Sequence, residues 1–262
     1  MDMRPCSVAG MFYPAEPRHL EQLLEAFFRK KDPGIRSLGI VSPHAGYIYS
    51  GETGACAFST IPPDFDGTFL VIGPSHRGYT TCASAVPWAT PLGIVDVDTE
   101  FIDALDIDID EGAHQDEHSI EVQMPLIKYR FPRARVAPIL MGDQSYRAAE
   151  NLAERLLQAI EETKRDVRIV ASSDFSHYIP DETARQQDLY AIDALKTLDI
   201  PEFYRRIQER HATVCGYGPI AAMCLVCRAL GAGRAELLRY TTSGDVTEDY
   251  NQVVGYAAIA VV

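Results

Sequence analysis

The stretch TFLVIGPSHRG, Thr68–Gly78, opens as an apolar, β-branched run and ends abruptly in Gly-Pro-Ser, with His76 directly behind. A run of that kind bounded by Gly and Pro reads as a buried strand. The same grammar recurs twice. LGIVSPHAG (38–46) carries His44 just past an apolar run, and VRIVASSDFSH (167–177) carries Asp174 and His177 in the same place. In an open α/β sheet, ligands collect beyond the carboxyl ends of the parallel strands, where loops converge. Three such strands lying side by side put His44, His76, Asp174 and His177 on one rim.

Further strands are expected at 83–87, 93–98, 135–142, 235–242 and 254–262, rich in Val and Ile and bounded by Gly, Pro or Asp. Helices are expected to begin near Pro17, Gly54, Thr99, Ser119, Ser145, Asp181, Pro201 and Pro219. After Ser145, the residues Ala149, Leu152, Ala153, Leu156, Leu157 and Ile160 recur at helical spacing, and Ser145 suits the cap. Strands separated by helices imply crossovers and a largely parallel sheet. The 83–98 region around PWATPLG reads as a hairpin. The predicted architecture is a single α/β domain over 1–262, a mixed, mostly parallel sheet with helices on both faces.

The chain has 262 residues, 47% hydrophobic and 23% charged, ordinary for a globular protein with a sizeable core. No apolar run approaches the roughly 20 residues of a membrane helix, and the N-terminal residues lack the apolar core of a secretory signal. The expectation is a cytoplasmic protein with no membrane association. The formal net charge of −13 repels nucleic acid, and no basic cluster overrides it. The six cysteines do not make a disulfide framework in a long chain of this kind.

Imidazoles converging on one cleft suit Zn, Cu, Fe or Ni, and two of them need further ligands. HATVCGYGPI (211–220) offers His211 and Cys215. AHQDEHSIEVQMPL (113–126) gathers His114, Glu117, His118 and Glu121 before an apolar helix; it lacks the spacing of a zinc-protease helix, and its acids also suit a helix N-terminus. Cys224 and Cys227 form a C-x-x-C inside the apolar run AAMCLVCRAL, which reads as core packing rather than redox chemistry. There is no phosphate-cradling glycine loop and no nucleophile elbow.

The motifs AGMFYP, PHAGYIYSG, GPSH, EHSIEVQMP, SSDFSH and CGYGPI, in that order along most of the chain, resemble the Memo family. The resemblance implies a cytoplasmic α/β protein similar in fold to the class III extradiol ring-cleaving dioxygenases, which use non-haem Fe(II). It implies metal ligands at His44, His76 and Cys215, and places His118, Asp174 and His177 around the same cleft. Asp174 is expected to orient His177 as a general acid or base. A thiolate in place of the usual carboxylate departs from the ring-cleaving enzymes and leaves the metal as iron or copper.

The leading expectation is therefore a metal-binding, redox-active protein acting on a small phenolic molecule. Its rivals are a true ring-cleaving dioxygenase and a non-enzymatic module binding a ligand or peptide in a vestigial cleft. Prokaryotic relatives of this family often accompany radical-SAM proteins, which implies a pathway link.

Overall fold

A computed structural model describes residues 3–29 and 34–262; residues 1–2 and 30–33 of the expected 1–262 domain lie outside it. The chain opens with α1 (Pro17–Phe28), β1 (Gly39–Ser42), α2 (Tyr47–Phe58) and β2 (Thr68–Pro74). The short strands β3 (Cys82–Ala83), β4 (Trp88–Thr90) and β5 (Gly93–Val95) follow. Next come α3 (Thr99–Leu105), α4 (Glu111–Gln115), α5 (His118–Glu121), α6 (Gln123–Arg130) and β6 (Arg135–Met141). The second half runs α7 (Tyr146–Thr163), β7 (Val167–Ser172), β8 (His177–Ile179), α8 (Asp181–Leu195), α9 (Ile200–Arg210) and α10 (Tyr217–Ala229). It closes with β9 (Ala235–Thr242), α11 (Gly244–Thr247) and β10 (Val253–Val261).

The main sheet has the order β3-β6-β2-β7-β1-β10-β8, with β9 also paired to β10. Its centre, β6-β2-β7-β1, is parallel, and the flanking strands are antiparallel. These central strands are buried on both faces, as continuous apolar runs require. Two glycines show the layering. A side chain on Gly39 would run into Cys227 and Met223 of α10, while Gly54 of α2 abuts Ser42. Residues 39 and 42 point to opposite faces of β1, so helices cover both.

The sheet order decides the rim. β7 lies between β2 and β1, with Ser42 opposite Ser172 and Ile72 opposite Ala171. His44, His76 and Asp174 each stand two residues beyond their strand. Three loops thus leave neighbouring parallel strands at nearly the same height.

Several boundaries differ from the sequence reading. α2 begins at Tyr47, about two turns before Gly54, although its start is rich in aromatic and glycine residues. Those glycines are packing devices: a Cβ on Gly51 would sit 2.5 Å from the Phe27 ring. The helix expected from Ser119 is broken at Val122 into α5 and α6. The expected hairpin is tighter, β4 with β5, and forms its own small sheet; of the expected 83–87 strand only Ala83 is in a strand, the two-residue β3. β8 escaped notice because it is three residues long and held by tertiary pairing to β10. Among the described residues, no helix is long and apolar enough to cross a membrane.

α5 packs directly on the end of β2: a Cβ on Gly73 would stand 2.5 Å from Ser119 Oγ and 2.7 Å from Ile120 Cγ1. Gly73→Ala is therefore expected to cost about 1–3 kcal/mol, as overpacking does, seen as a lowered midpoint in thermal unfolding. A wild-type midpoint would contradict this packing.

Candidate metal centre

The rim gathers what the strand ends promised. One ligand atom each of His44, His76 and His118 lie within 4.8 Å of one another. The rings of His76 and His118 stack at 4.7 Å, and that of His44 stands edge-on to both, at 5.2 and 5.4 Å. Cys215 comes in from the loop before α10, its Sγ 3.2 Å from His44 Nε2.

His44 is held by a chain of bonds that fixes where its proton sits. Ser172 Oγ lies 2.5 Å from Ser119 O, a carbonyl that can only accept, so the single hydroxyl proton goes there. Gln123 Nε2 lies 2.9 Å from Pro43 O and 2.9 Å from Ser172 Oγ, donating to both. Ser172 Oγ must then accept from His44 Nδ1 at 2.9 Å. The ring is the Nδ1–H tautomer, and its Nε2 lone pair faces Cys215. Burial first, then the neighbouring His118 and His76, hold the His44 pKa well below its ordinary value. The imidazole is neutral, the form a metal requires.

Glu117 does the corresponding work for His76. Its Oε1 accepts from His76 Nδ1 at 2.9 Å and its Oε2 from the His76 backbone N–H at 2.8 Å. The same carboxylate caps α5 through Ser119 N at 2.9 Å and lies 3.5 Å from His118 Nδ1. Burial alone would raise its pKa. The hydrogen bond and charge of His76, with the two backbone donors, bring it down to about 2. A carboxylate fixing the far nitrogen of a ligand histidine is the usual support of a metal site. His118 is held below its ordinary pKa by burial and by His76.

The three imidazoles suit a transition metal; Cys215 stands outside their mutually close group and meets it through His44. An ion holding a thiolate at about 2.3 Å and an imidazole at about 2.0 Å in tetrahedral geometry needs the two donors about 3.5 Å apart. The observed Cys215–His44 separation is 3.2 Å. Burial and the Asp174 carboxylate push the Cys215 thiol up, so it becomes a thiolate only against a cation.

The profile of the Memo-like protein family matches residues 4–260. The chain belongs to the Memo family. A MEMO1 family protein of Methanosarcina barkeri is 44% identical over 266 residues, covering 99% of this chain and all of its own. One from Archaeoglobus fulgidus is 46% identical over 263 residues, covering 98% of both chains. One from Methanothermobacter thermautotrophicus is 40% identical over 278 residues, covering 99% of this chain and all of its own.

Within this Memo protein, His118 comes closer to the centre than a cleft-lining role suggests, since it belongs to the mutually close set with His44 and His76. Asp174 does not stand behind His177. Its Oδ1 accepts from the His44 backbone N–H at 2.8 Å, and burial pushes its pKa up to about 6 against that hydrogen bond and His177. His177 is oriented instead by Thr213, whose carbonyl accepts from Nδ1 at 2.8 Å and whose hydroxyl accepts from the backbone N–H at 2.8 Å. His211 is exposed, in the left-handed cap of α9. His114 is fully buried against Trp88, with Nε2 3.8 Å from Cys82 Sγ. Cys224 and Cys227 are buried in α10.

Ser172, Gln123 and Thr213 went unread in the sequence. Gln123 carried a faint signal, a lone amide within the apolar run of EVQMPL. Glu117 was visible only as one of the acids near a helix N-terminus. Glu117→Gln retains the side-chain shape but removes the charge behind His76. It is expected to weaken metal binding about 10–100-fold, measured by competition with a chelator of known affinity.

Proposed function

We propose that this protein is a metal-dependent redox protein with a non-haem dioxygenase-like site. His44, His76 and Cys215 would hold one iron or copper ion, with His118 beside them. The observation that carries the reading is the clustering of three histidines, one ligand nitrogen of each within 4.8 Å of the others, with a half-buried thiol against His44. Bound there, the ion would supply Lewis acidity and electron transfer to a coordinated substrate. The chain's own residues supply the rest. His177, with Nδ1–H committed to Thr213 O, offers Nε2 to take a proton from a substrate hydroxyl and return it. Phe12, whose ring lies 4.8 Å from that of His118, also lines an apolar cavity of about 680 Å³ with Met11, Leu23, Phe27 and Ile48. None of His44, His76, His118, His177 and Cys215 lines that cavity; Phe12 is its link to the centre, and its apolar lining would suit a small phenolic or otherwise apolar molecule. The family likeness supports a cytoplasmic location and a pathway shared with a radical-SAM protein.

Ring cleavage of a catechol is the narrower reading, and the ligand set weighs against it. The mutually close group among the described residues contains no carboxylate, and the nearby Glu117 is committed to His76 and Ser119. A binding module that keeps the cleft without chemistry draws on the same apolar cavity. Ligand or peptide binding unchanged by metal removal would favour it.

Metal analysis after anaerobic loading with Fe(II) or Cu(I) tests the proposal. One ion per chain is expected for the wild type, with loss in His44→Ala, His76→Ala and Cys215→Ser. Retention in Cys215→Ser with loss in His118→Ala makes the centre a three-histidine site. Unchanged stoichiometry across all four variants removes the centre. Coloured ring-opened product from a catechol panel under O₂ would restore the narrower reading.

A further inference from the structure

The residues ahead of α1 contain an arginine that is buried although charged. Arg4 Nη1 lies 2.7 Å from Glu121 Oε2. Its Nε donates to His114 O at 2.7 Å, and its Nη2 donates to Glu117 O at 2.9 Å and Gln115 O at 3.2 Å. The guanidinium lies 4.0 Å above the Trp88 ring. The planar fork of arginine can serve all these partners at once, which a lysine ammonium cannot. Glu121 closes the other half. It accepts from Ser7 N and Val8 N at 3.0 Å each, from Ser7 Oγ at 2.7 Å and from Tyr13 Oη at 2.6 Å.

Further along the same segment, Phe12 O accepts from Tyr47 N at 2.7 Å, and the Phe12 ring packs on His118. Residues 4–13 thus form a strap between two site-bearing stretches. One end grips 114–121, which carries Glu117 and His118. The other touches the start of α2, directly after the His44 turn.

Burying an ion pair is a poor way to gain stability, because desolvation offsets the attraction. Fixing geometry is what such a pair does well. The carbonyls that Arg4 grips belong to His114, Gln115 and Glu117, in the turn that aims both Glu117 and His118. We infer that Arg4 and Glu121 are positioning residues of the metal centre. They act through the 114–121 backbone to hold the Glu117 carboxylate on His76 and the His118 ring beside His44. The metal-binding consequence rests on the proposed function; the geometric one does not.

The test uses the full chain, with Arg4→Lys as the main variant and Asp98→Asn as the control. Asp98 is another buried carboxylate, paired with Arg135 and Arg165 and bonded to Thr68 at the opposite end of β2. Thermal unfolding reports the stability of each. Histidine side-chain ¹⁵N spectra of the metal-free protein report ring environment and tautomer, and Co(II) titration reports affinity and ligand field.

Arg4→Lys is expected to move the His76 and His118 ring signals, weaken Co(II) binding about 10–100-fold and change the cobalt absorption spectrum. Asp98→Asn is expected to lose stability while leaving rings and cobalt unchanged. Should Arg4→Lys not fold, Tyr13→Phe carries the test. It removes one bond to Glu121 and is expected to shift the His118 signal and weaken Co(II) binding severalfold. A folded Arg4→Lys or Tyr13→Phe with wild-type ring signals overturns the inference. So does an equal disturbance in Asp98→Asn. A wild-type protein that takes no metal defeats the proposed function, and the metal-free spectra still decide the role of the strap.

Discussion

The parallel pairing of β7 with β1 on one side and β2 on the other is the constraint from which the site follows. Strands in register end at the same height, and here each of the three is followed two residues later by His44, His76 or Asp174. The backbone can leave a sheet only at a strand end, so side chains just beyond parallel ends are delivered to one place. His118 and Cys215 are brought to that place by other means. α5 packs against Gly73 at the end of β2, and Gly216 lets the Cys215 loop approach Ser172 and Ser173 closely.

Bringing imidazoles together is only half of making a ligand set, because each ring must present a lone pair rather than a proton. The surroundings decide this one hydrogen at a time. Ser119 O takes the Ser172 proton, which obliges Ser172 to accept from His44. Glu117 accepts from the Nδ1–H of His76, and Thr213 O from that of His177. Burial, and then the neighbouring imidazoles, hold His44 and His118 below their ordinary pKa and disfavour a second proton on either ring. The result is a pre-aimed set of nitrogens beside a thiol whose ionisation awaits a cation. Ordering these rings in advance lowers the entropic cost of closing around an ion.

How much of this was legible in the sequence differs by element. The central strands read clearly because fully buried parallel strands are continuous apolar runs, and α7 read clearly because one face of it is apolar at helical spacing. α2 was placed late because Gly51 and Gly54 look like helix breakers, yet serve close packing against Phe27 and Ser42. β8 is too short to carry a pattern. In the site, His44, His76 and His177 announced themselves by following strands. Cys215 did not stand out from His211 without the family motif, since both lie in one loop sequence. The partner of His177 was misassigned to Asp174 because nearness along the chain suggested it, whereas Thr213 arrives from the loop after α9.

By itself the sequence determined the class of fold, the strands that form its centre and the histidines at their ends. Those features are local: apolar periodicity, turn residues and a side chain at a fixed offset. Only the tertiary structure decided which nitrogen of each ring carries the proton, that His118 joins His44 and His76, and that Asp174 serves the His44 backbone. Those are matters of distance and direction between segments up to about 130 positions apart, set by strand order and helix packing, and no local pattern encodes them.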